Sequence, residues 1–125
     1  MSELTGVSDE FIKVATQEIN EELSEITEIL DYCQNDDDIS KNSSIIEKHM
    51  HNIKGLAPMM GKETIGTVAK HLDSILKKIM SGKKVDGIFE PLCTSIEQMR
   101  MNMDKSHEMQ EIQRQVSKIA LNIAD

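Results

Sequence analysis

The chain has 125 residues, enough for one domain with a single hydrophobic core. Its formal net charge of −8 argues against nucleic-acid binding, because phosphate binding needs a basic stripe on the surface. Only 2 Phe and 1 Tyr are aromatic, and 2 Pro with 6 Gly supply few turns, so an all-α fold is predicted rather than many short strands.

The first predicted helix spans residues 9–33. Ser8 is suited to cap its N-terminus. Apolar residues recur at steps of three and four, as on one face of an amphipathic helix. These residues are Phe11, Ala15, Ile19, Leu23, Ile26, Leu30 and Cys33. The following stretch, residues 34–38, contains three consecutive aspartates and is predicted to be a solvated loop.

The second predicted helix spans residues 41–60, with Met50 and Ala57 at the centre of its apolar stripe. Pro58 lies near its end. A proline inside a helix removes a backbone hydrogen bond, and it also disfavours helical angles at the preceding residue. We predict a kink or an end at this point, with Gly61 completing the stop.

Three further helices are predicted over residues 62–81, 86–103 and 106–124. Pro91 suits the fourth helix only if it lies in the first turn. Because no Gly or Pro separates the last two helices, one long helix is the alternative. We favour a break near residues 104–106, where Ser106 can cap the last helix.

The fold expected from this pattern is an antiparallel up-down four-helix bundle with a fifth, C-terminal helix packed on it. Short links place consecutive helices side by side in opposite directions. Residues 1–125 are expected to form a single domain and a monomer. The lysine pairs Lys77-Lys78 and Lys83-Lys84 are interpreted as cations that complement the end of the third helix.

The sequence favours a cytoplasmic protein that binds no membrane. No apolar run approaches membrane-spanning length, and the N-terminus lacks the basic and apolar regions of a signal peptide. Cys33 and Cys93 are too few and too far apart for a disulfide framework or a zinc knuckle. We therefore expect both thiols to be reduced.

The stretch from His49 to Gly55 contains residues that are suited to a chemical reaction at the protein surface. At about 100° per residue, His51 points away from the apolar stripe of its helix, toward solvent. Lys54 and Gly55, one turn further on, lie beside it on the same surface. An exposed neutral imidazole is a fair nucleophile near neutral pH, and Lys54 supplies a cation for phosphoryl oxygens. Gly55 has no side chain to cover the ring.

Machinery for transferring phosphate from a nucleotide is not evident in the sequence. We find neither a glycine-rich loop that cradles phosphates nor a set of metal-binding carboxylates. We therefore predict a passive carrier that has no ATP-binding or catalytic core and binds no cofactor or metal itself.

The motif His51-Asn52-Ile53-Lys54-Gly55, with a second glycine at Gly61, resembles the H-x-x-K-G pattern of histidine-containing phosphotransfer (HPt) domains. Over nearly its whole length the chain looks most like the N-terminal phosphotransfer domain of chemotaxis-type sensor histidine kinases, including the fifth helix. The resemblance implies that His51 is phosphorylated, with Lys54 stabilising the phosphoryl group. It also implies that Gly55 clears the approach of a partner.

The same resemblance implies two protein partners in two-component or chemotaxis signalling. The phosphoryl group would come from a histidine-kinase catalytic domain, which carries ATP and Mg²⁺. It would pass to an aspartate of a response-regulator receiver domain, which carries Mg²⁺. The sequence leaves open whether the chain acts alone or as the N-terminal part of a histidine kinase, and therefore whether it belongs to an enzyme.

Two positions depart from the family pattern. Asp73 stands where the family usually has a Glu that hydrogen-bonds the imidazole. Because Asp is one methylene shorter, its contact with His51 is direct, bridged by water or absent. Lys70 occupies a position often held by a second His, and is expected to add positive charge near the phosphoryl group.

Other interpretations of the histidines are also considered. His49 is predicted at the edge of the core. A metal site made by His49 and His51 is disfavoured, because residues two apart on a helix do not face each other and no convincing third ligand is evident. Two other functions stay open: a helical bundle that binds signalling partners without being phosphorylated, and a metal-binding or structural helical protein.

Overall fold

The computed structural model describes residues 8–104 and 109–123, which form six helices. In chain order these are α1 Asp9–Leu30, α2 Asp36–Lys41, α3 Ser43–Met59, α4 Glu63–Met80, α5 Phe89–Asp104 and α6 Gln110–Asn122. Within these two stretches there is no β-strand, which confirms the predicted all-α class.

Helix α1 begins as predicted but ends earlier. The Ser8 side chain accepts a hydrogen bond from the backbone N–H of Phe11 at 3.0 Å, which confirms the predicted cap. The helix ends at Leu30 rather than Cys33. Beyond Leu30 the chain forms a tighter turn than an α-helix, because the backbone N–H groups of Tyr32 and Cys33 donate to carbonyls three residues earlier.

The predicted solvated loop over residues 34–38 is wrong, because the three aspartates form the first turn of α2. Asn35 caps this short helix, and its side chain accepts a hydrogen bond from the backbone N–H of Asp38 at 3.0 Å. Acidic residues in a first turn face the positive end of the helix dipole, which stabilises the helix. Ile39 anchors α2 by burying its side chain in the core.

Asp36 joins α2 to a distant part of the chain. Its carboxylate accepts hydrogen bonds from the backbone N–H groups of Gly87 at 2.7 Å and Phe89 at 2.8 Å. These donors lie at the start of α5, where backbone N–H groups have no partner inside the helix. Asp36 therefore helps to set where α5 begins, which is Phe89 rather than the predicted residue 86.

Helix α3 ends where Pro58 was predicted to end or kink it. Its last residue is Met59, and Gly61 follows with φ of 82°, a left-handed conformation that favours glycine. The expected disturbance at Ala57 is wrong, because the helix continues through it. The predicted helix over residues 41–60 corresponds to α3, whereas Lys41 belongs to the preceding α2, and Asn42 separates the two helices.

The last two helices are separate, as favoured from the sequence. Helix α5 ends at Asp104 and α6 begins at Gln110. The proposed cap, Ser106, lies outside the described residues. Pro91 lies in the first turn of α5, the place where a helix tolerates proline.

The helices pack around one apolar core. Helix α3 contacts α1, α2 and α4; α4 also contacts α5 and α6; and α5 contacts α1 and α6. Fully buried side chains from all six helices meet there, including Ile19, Leu23, Ile39, Met50, Ile53, Leu72, Leu92 and Val116. No helix in the described part of the chain is long and apolar enough to cross a membrane.

Helices α3 and α4 lie very close together at Gly66. A Cβ atom built on this glycine would lie 2.7 Å from Cγ of Pro58, too close for two carbon atoms. The absence of a side chain at Gly66 therefore lets α4 lie against the end of α3. This close pairing positions the polar groups of α4 opposite those of α3.

Candidate functional site

His51 lies on the outer surface of α3, as predicted. Met50 and Ile53 on either side of it are fully buried, whereas 56% of the His51 side chain is exposed. The 3.6-residue period of the helix explains this contrast, because each residue is rotated by about 100° around the helix axis relative to the one before it. Gly55, one turn further on, is exposed, and a Cβ atom built there would have nothing within 4 Å.

Asp73 on α4 contacts His51 directly. The distance from His51 Nδ1 to Asp73 Oδ2 is 3.5 Å, at the long limit of a hydrogen bond. Only 2% of the Asp73 side chain is exposed, so the carboxylate lies beneath the imidazole. The sequence left open whether this contact is direct, bridged by water or absent, and in the structure it is direct.

Two lysines also bind Asp73. Lys54 Nζ lies 3.0 Å from Asp73 Oδ2, and Lys77 Nζ lies 2.7 Å from the same oxygen. Lys54 was predicted beside His51. Lys77 was interpreted from the sequence only as a cation near a helix end. That interpretation misses its contact with Asp73, which is shorter than the contacts of Lys54 and His51.

Glu47 completes the cluster from one turn before His51. Its Oε2 lies 3.3 Å from Lys77 Nζ and 3.9 Å from His51 Nδ1. Hydrogen bonding with Asp73 and burial raise the pKa of Glu47 above its usual range, against the opposite effect of Lys77. The sequence analysis did not identify Glu47. Its spacing of four residues from His51 was the available signal.

The electrostatics of Asp73 keep it ionised. Burial opposes its ionisation, but hydrogen bonding with Glu47 and with the two lysines outweighs this and holds the pKa of Asp73 well below its usual range. Its second oxygen, Oδ1, is buried without a hydrogen-bond partner among the described residues. All recorded contacts of the carboxylate with Lys54, Lys77 and His51 therefore use Oδ2.

The ring orientation defines what His51 can do chemically. Its Nδ1 faces carboxylate acceptors, which favours placing the ring proton on that nitrogen. In the described part of the chain Nε2 has no hydrogen-bond partner, so its lone pair is available at the surface. An imidazole held in this way can act as a nucleophile toward an electrophile that arrives from solvent.

Lys70 does not join this cluster. It lies on α4 in a shallow surface groove that Lys54, Pro58, Gly66 and Thr67 also line. Among the described residues it makes no ion pair with Asp73 and no hydrogen bond to His51. Its predicted contribution is therefore limited to positive charge in the groove beside Lys54.

His49 points to the opposite side of α3, at the edge of the core as predicted. Its Nδ1 lies 3.1 Å from Glu22 Oε1 and 3.4 Å from Glu25 Oε2, both on α1. Asn52 donates to the other oxygen of Glu22 at 2.6 Å. These contacts join α3 to α1.

Two groups of side chains have donor atoms close enough to hold a metal ion. They are Glu22, Glu25 and His49 on one side of α3, and Glu47, His51 and Asp73 on the other, with the donor atoms of each group within 4.8 Å of one another. The two histidines thus belong to different groups, and the H-x-H pair is not one site. In the second group, Lys54 and Lys77 already neutralise the carboxylates.

Comparison of the chain with protein-family models, with curated proteins and with solved structures found no match.

Proposed function

We propose that the chain is a phosphorelay carrier of the HPt type. His51 accepts a phosphoryl group from a histidine-kinase catalytic domain and passes it to an aspartate of a response-regulator receiver domain. The observation that carries the proposal is the orientation of His51, which is half exposed with Nδ1 toward Asp73 and Nε2 open to solvent. ATP and Mg²⁺ belong to the kinase in this scheme, and the receiver brings its own Mg²⁺. Dependence on an ATP-using kinase implies a cytoplasmic location.

The chemistry needs little from the carrier. The lone pair of His51 Nε2 forms a bond to phosphorus while the bond from phosphorus to the donor's leaving oxygen breaks, and the leaving group departs with that electron pair. The ring keeps its Nδ1 proton and becomes cationic. The ionised Asp73 beneath it stabilises this charge, and Lys54 stabilises the phosphoryl oxygens one turn away.

The architecture supports access for a partner. We propose that α1, α3, α4 and α5 form an antiparallel up-down four-helix bundle, with α6 as the fifth helix against α4 and α5. Support comes from the closed ring of contacts among those four helices and from the short link between α3 and α4. The exposed Gly55 leaves room for a receiver domain beside the ring.

The test is the intact mass of the protein after incubation with acetyl phosphate or with a histidine-kinase catalytic core. We expect one acid-labile phosphoryl group on the wild type and none on His51→Gln. His49→Gln is the matched control, because it removes an imidazole two residues away on the other side of α3, and it should still be labelled. Circular dichroism checks that both variants are folded.

Labelling that persists in His51→Gln but disappears in folded His49→Gln would contradict the assignment of His51. A wild-type chain that binds a receiver domain but is never labelled by any donor would favour the alternative, a binding module that is not phosphorylated.

A further inference from the structure

We infer that Lys77 regulates the His51 site by competing with the imidazole for the Asp73 carboxylate. The inference rests on the proposed function, because the reaction that Lys77 affects is phosphorylation of His51. The competition itself follows from two distances to one oxygen of Asp73. Lys77 Nζ is 2.7 Å from Asp73 Oδ2, whereas His51 Nδ1 is 3.5 Å from the same oxygen. This carboxylate therefore lies closer to Lys77 than to the ring.

One oxygen of Asp73 faces three nitrogen donors, from Lys77, Lys54 and His51. A carboxylate oxygen has two lone-pair directions that accept hydrogen bonds well. Lys77 and Lys54, at 2.7 Å and 3.0 Å, have distances typical of charged hydrogen bonds. The imidazole is left with a contact at the outer limit, because the better positions on the oxygen are taken.

The other oxygen does not compensate. Asp73 Oδ1 is buried and has no hydrogen-bond partner among the described residues, so it does not bind the imidazole. Lys77 is also held in place from the opposite helix, since Glu47 Oε2 lies 3.3 Å from its ammonium. The two carboxylates thus keep Lys77 bound at the edge of the site.

This competition matters for the proposed reaction in two ways. A stronger hydrogen bond from Nδ1–H to Asp73 favours the tautomer in which Nε2 carries the free lone pair. It also stabilises the positive charge that the ring acquires as the bond from Nε2 to phosphorus forms. By weakening this hydrogen bond, Lys77 slows the acceptance of a phosphoryl group.

Lys77→Met tests the inference without leaving a buried charge unpaired. The Lys77 side chain is half exposed, and Asp73 keeps Lys54 as its counter-ion in the variant. Lys77→Arg keeps the cation and should behave like the wild type. Lys84→Met is the control for the loss of one positive charge, because Lys84 lies in the link between α4 and α5, away from the site.

Two readouts are compared in all four proteins. The ¹⁵N chemical shifts of the neutral His51 ring report which nitrogen carries the proton. The initial rate of phosphorylation by acetyl phosphate reports the reaction. In Lys77→Met we expect a larger fraction of the Nδ1–H tautomer and a rate about three to ten times that of the wild type. Neither Lys77→Arg nor Lys84→Met should show this gain.

The inference is overturned if Lys77→Met leaves the ring tautomer unchanged, or if the phosphorylation rate stays the same or falls. A gain in Lys84→Met equal to that in Lys77→Met would also overturn it, since the effect would then be one of net charge. The ring spectrum does not depend on phosphorylation. Failure of every protein to be labelled therefore counts against the proposed function, whereas an unchanged ring counts against the role of Lys77.

Discussion

In the proposed reaction, Lys54 serves two groups when a phosphoryl group reaches His51. In the unphosphorylated protein its ammonium binds Asp73 at 3.0 Å, while about a third of its side chain is exposed. An incoming phosphoryl group brings negative oxygens to the same surface, where a cation one turn from the nucleophile stabilises them. Because Lys77 also binds Asp73, we expect Lys54 to turn to the phosphoryl group without leaving the carboxylate unpaired.

We therefore expect Lys54→Ala to slow phosphorylation of His51 by acetyl phosphate about tenfold or more, since it removes charge stabilisation from the transition state. The free energy of unfolding should change by less than about 1 kcal/mol, because the lysine is partly exposed and Asp73 keeps one counter-ion. The initial rate and the urea midpoint of the same variant check both statements.

Lys70→Ala is the matched control for this prediction. It removes a lysine from the same groove that makes no ion pair with Asp73, so its effect on the rate should be smaller. An unchanged rate in Lys54→Ala together with a large drop in the urea midpoint would show that Lys54 stabilises the fold instead.

At the scale of helices, two glycines have opposite roles on α3 and α4. A Cβ atom at Gly55 would have nothing within 4 Å, whereas one at Gly66 would overlap Cγ of Pro58 at 2.7 Å. Gly55 therefore leaves a surface open, and Gly66 lets two helices pack. A glycine inside a helix is otherwise unfavourable compared with alanine, so each position needs such a reason.

Gly55→Leu is expected to block exchange of the phosphoryl group with a receiver domain while acetyl phosphate still labels His51. The leucine side chain would extend toward the surface where a protein partner must approach, but a small donor needs less room. The helix should remain formed because leucine has the better helix propensity. Transfer to a receiver that proceeds at the wild-type rate would contradict the role of Gly55 in access.

Gly66→Ala serves as the contrasting variant. It adds only one methyl group, yet it should lower the free energy of unfolding by about 1–3 kcal/mol, because the proline ring opposite it cannot move away freely. Urea unfolding of the two glycine variants side by side separates access from packing.

For the molecule as a whole, the cluster beneath His51 makes the free energy of unfolding depend on pH in the acid range. The folded-state pKa of Asp73 is depressed despite burial, because hydrogen bonding with Glu47 and the two lysines favours its ionised form. A depressed carboxyl pKa stabilises the folded protein fully above the unfolded value of about 3.9. The contribution declines as the pH falls below that value and is lost once the pH has passed through the folded pKa. Glu47 acts in the opposite direction, since its pKa is raised.

We expect Asp73→Asn to cost about 1–3 kcal/mol at neutral pH, because it removes hydrogen bonds between charged groups. The difference from the wild type should shrink as the pH falls from about 4 toward about 2. Urea unfolding across this range measures it. Glu18→Gln, at an exposed position within α1, is the control and should follow the wild-type curve. A penalty for Asp73→Asn that stays constant down to the lowest pH would show that the charge of Asp73 is not what stabilises the fold.

The amino-acid sequence was enough to predict the features that depend on neighbours within one or two helical turns. The 3.6-residue period assigned the helices and placed His51 on the outside of α3, with Lys54 and Gly55 beside it. Pro58 and Gly61 predicted the end of that helix because proline and a left-handed glycine act locally. The prediction of a loop at the three aspartates of α2 was wrong, since a run of aspartates is found both in solvated loops and in the first turn of a helix.

Features that depend on residues far apart in the chain could be seen only in the folded protein. Only the packing of α4 on α3 brings Asp73 beneath His51, and only that packing lets Lys77 contact both Asp73 and Glu47. The same holds for Asp36, which reaches backbone donors about fifty positions further along the chain. A pattern along one helix shows which side of the helix is exposed. Which charged groups meet across two helices depends on how closely the helices approach and in what register, and no local pattern encodes this.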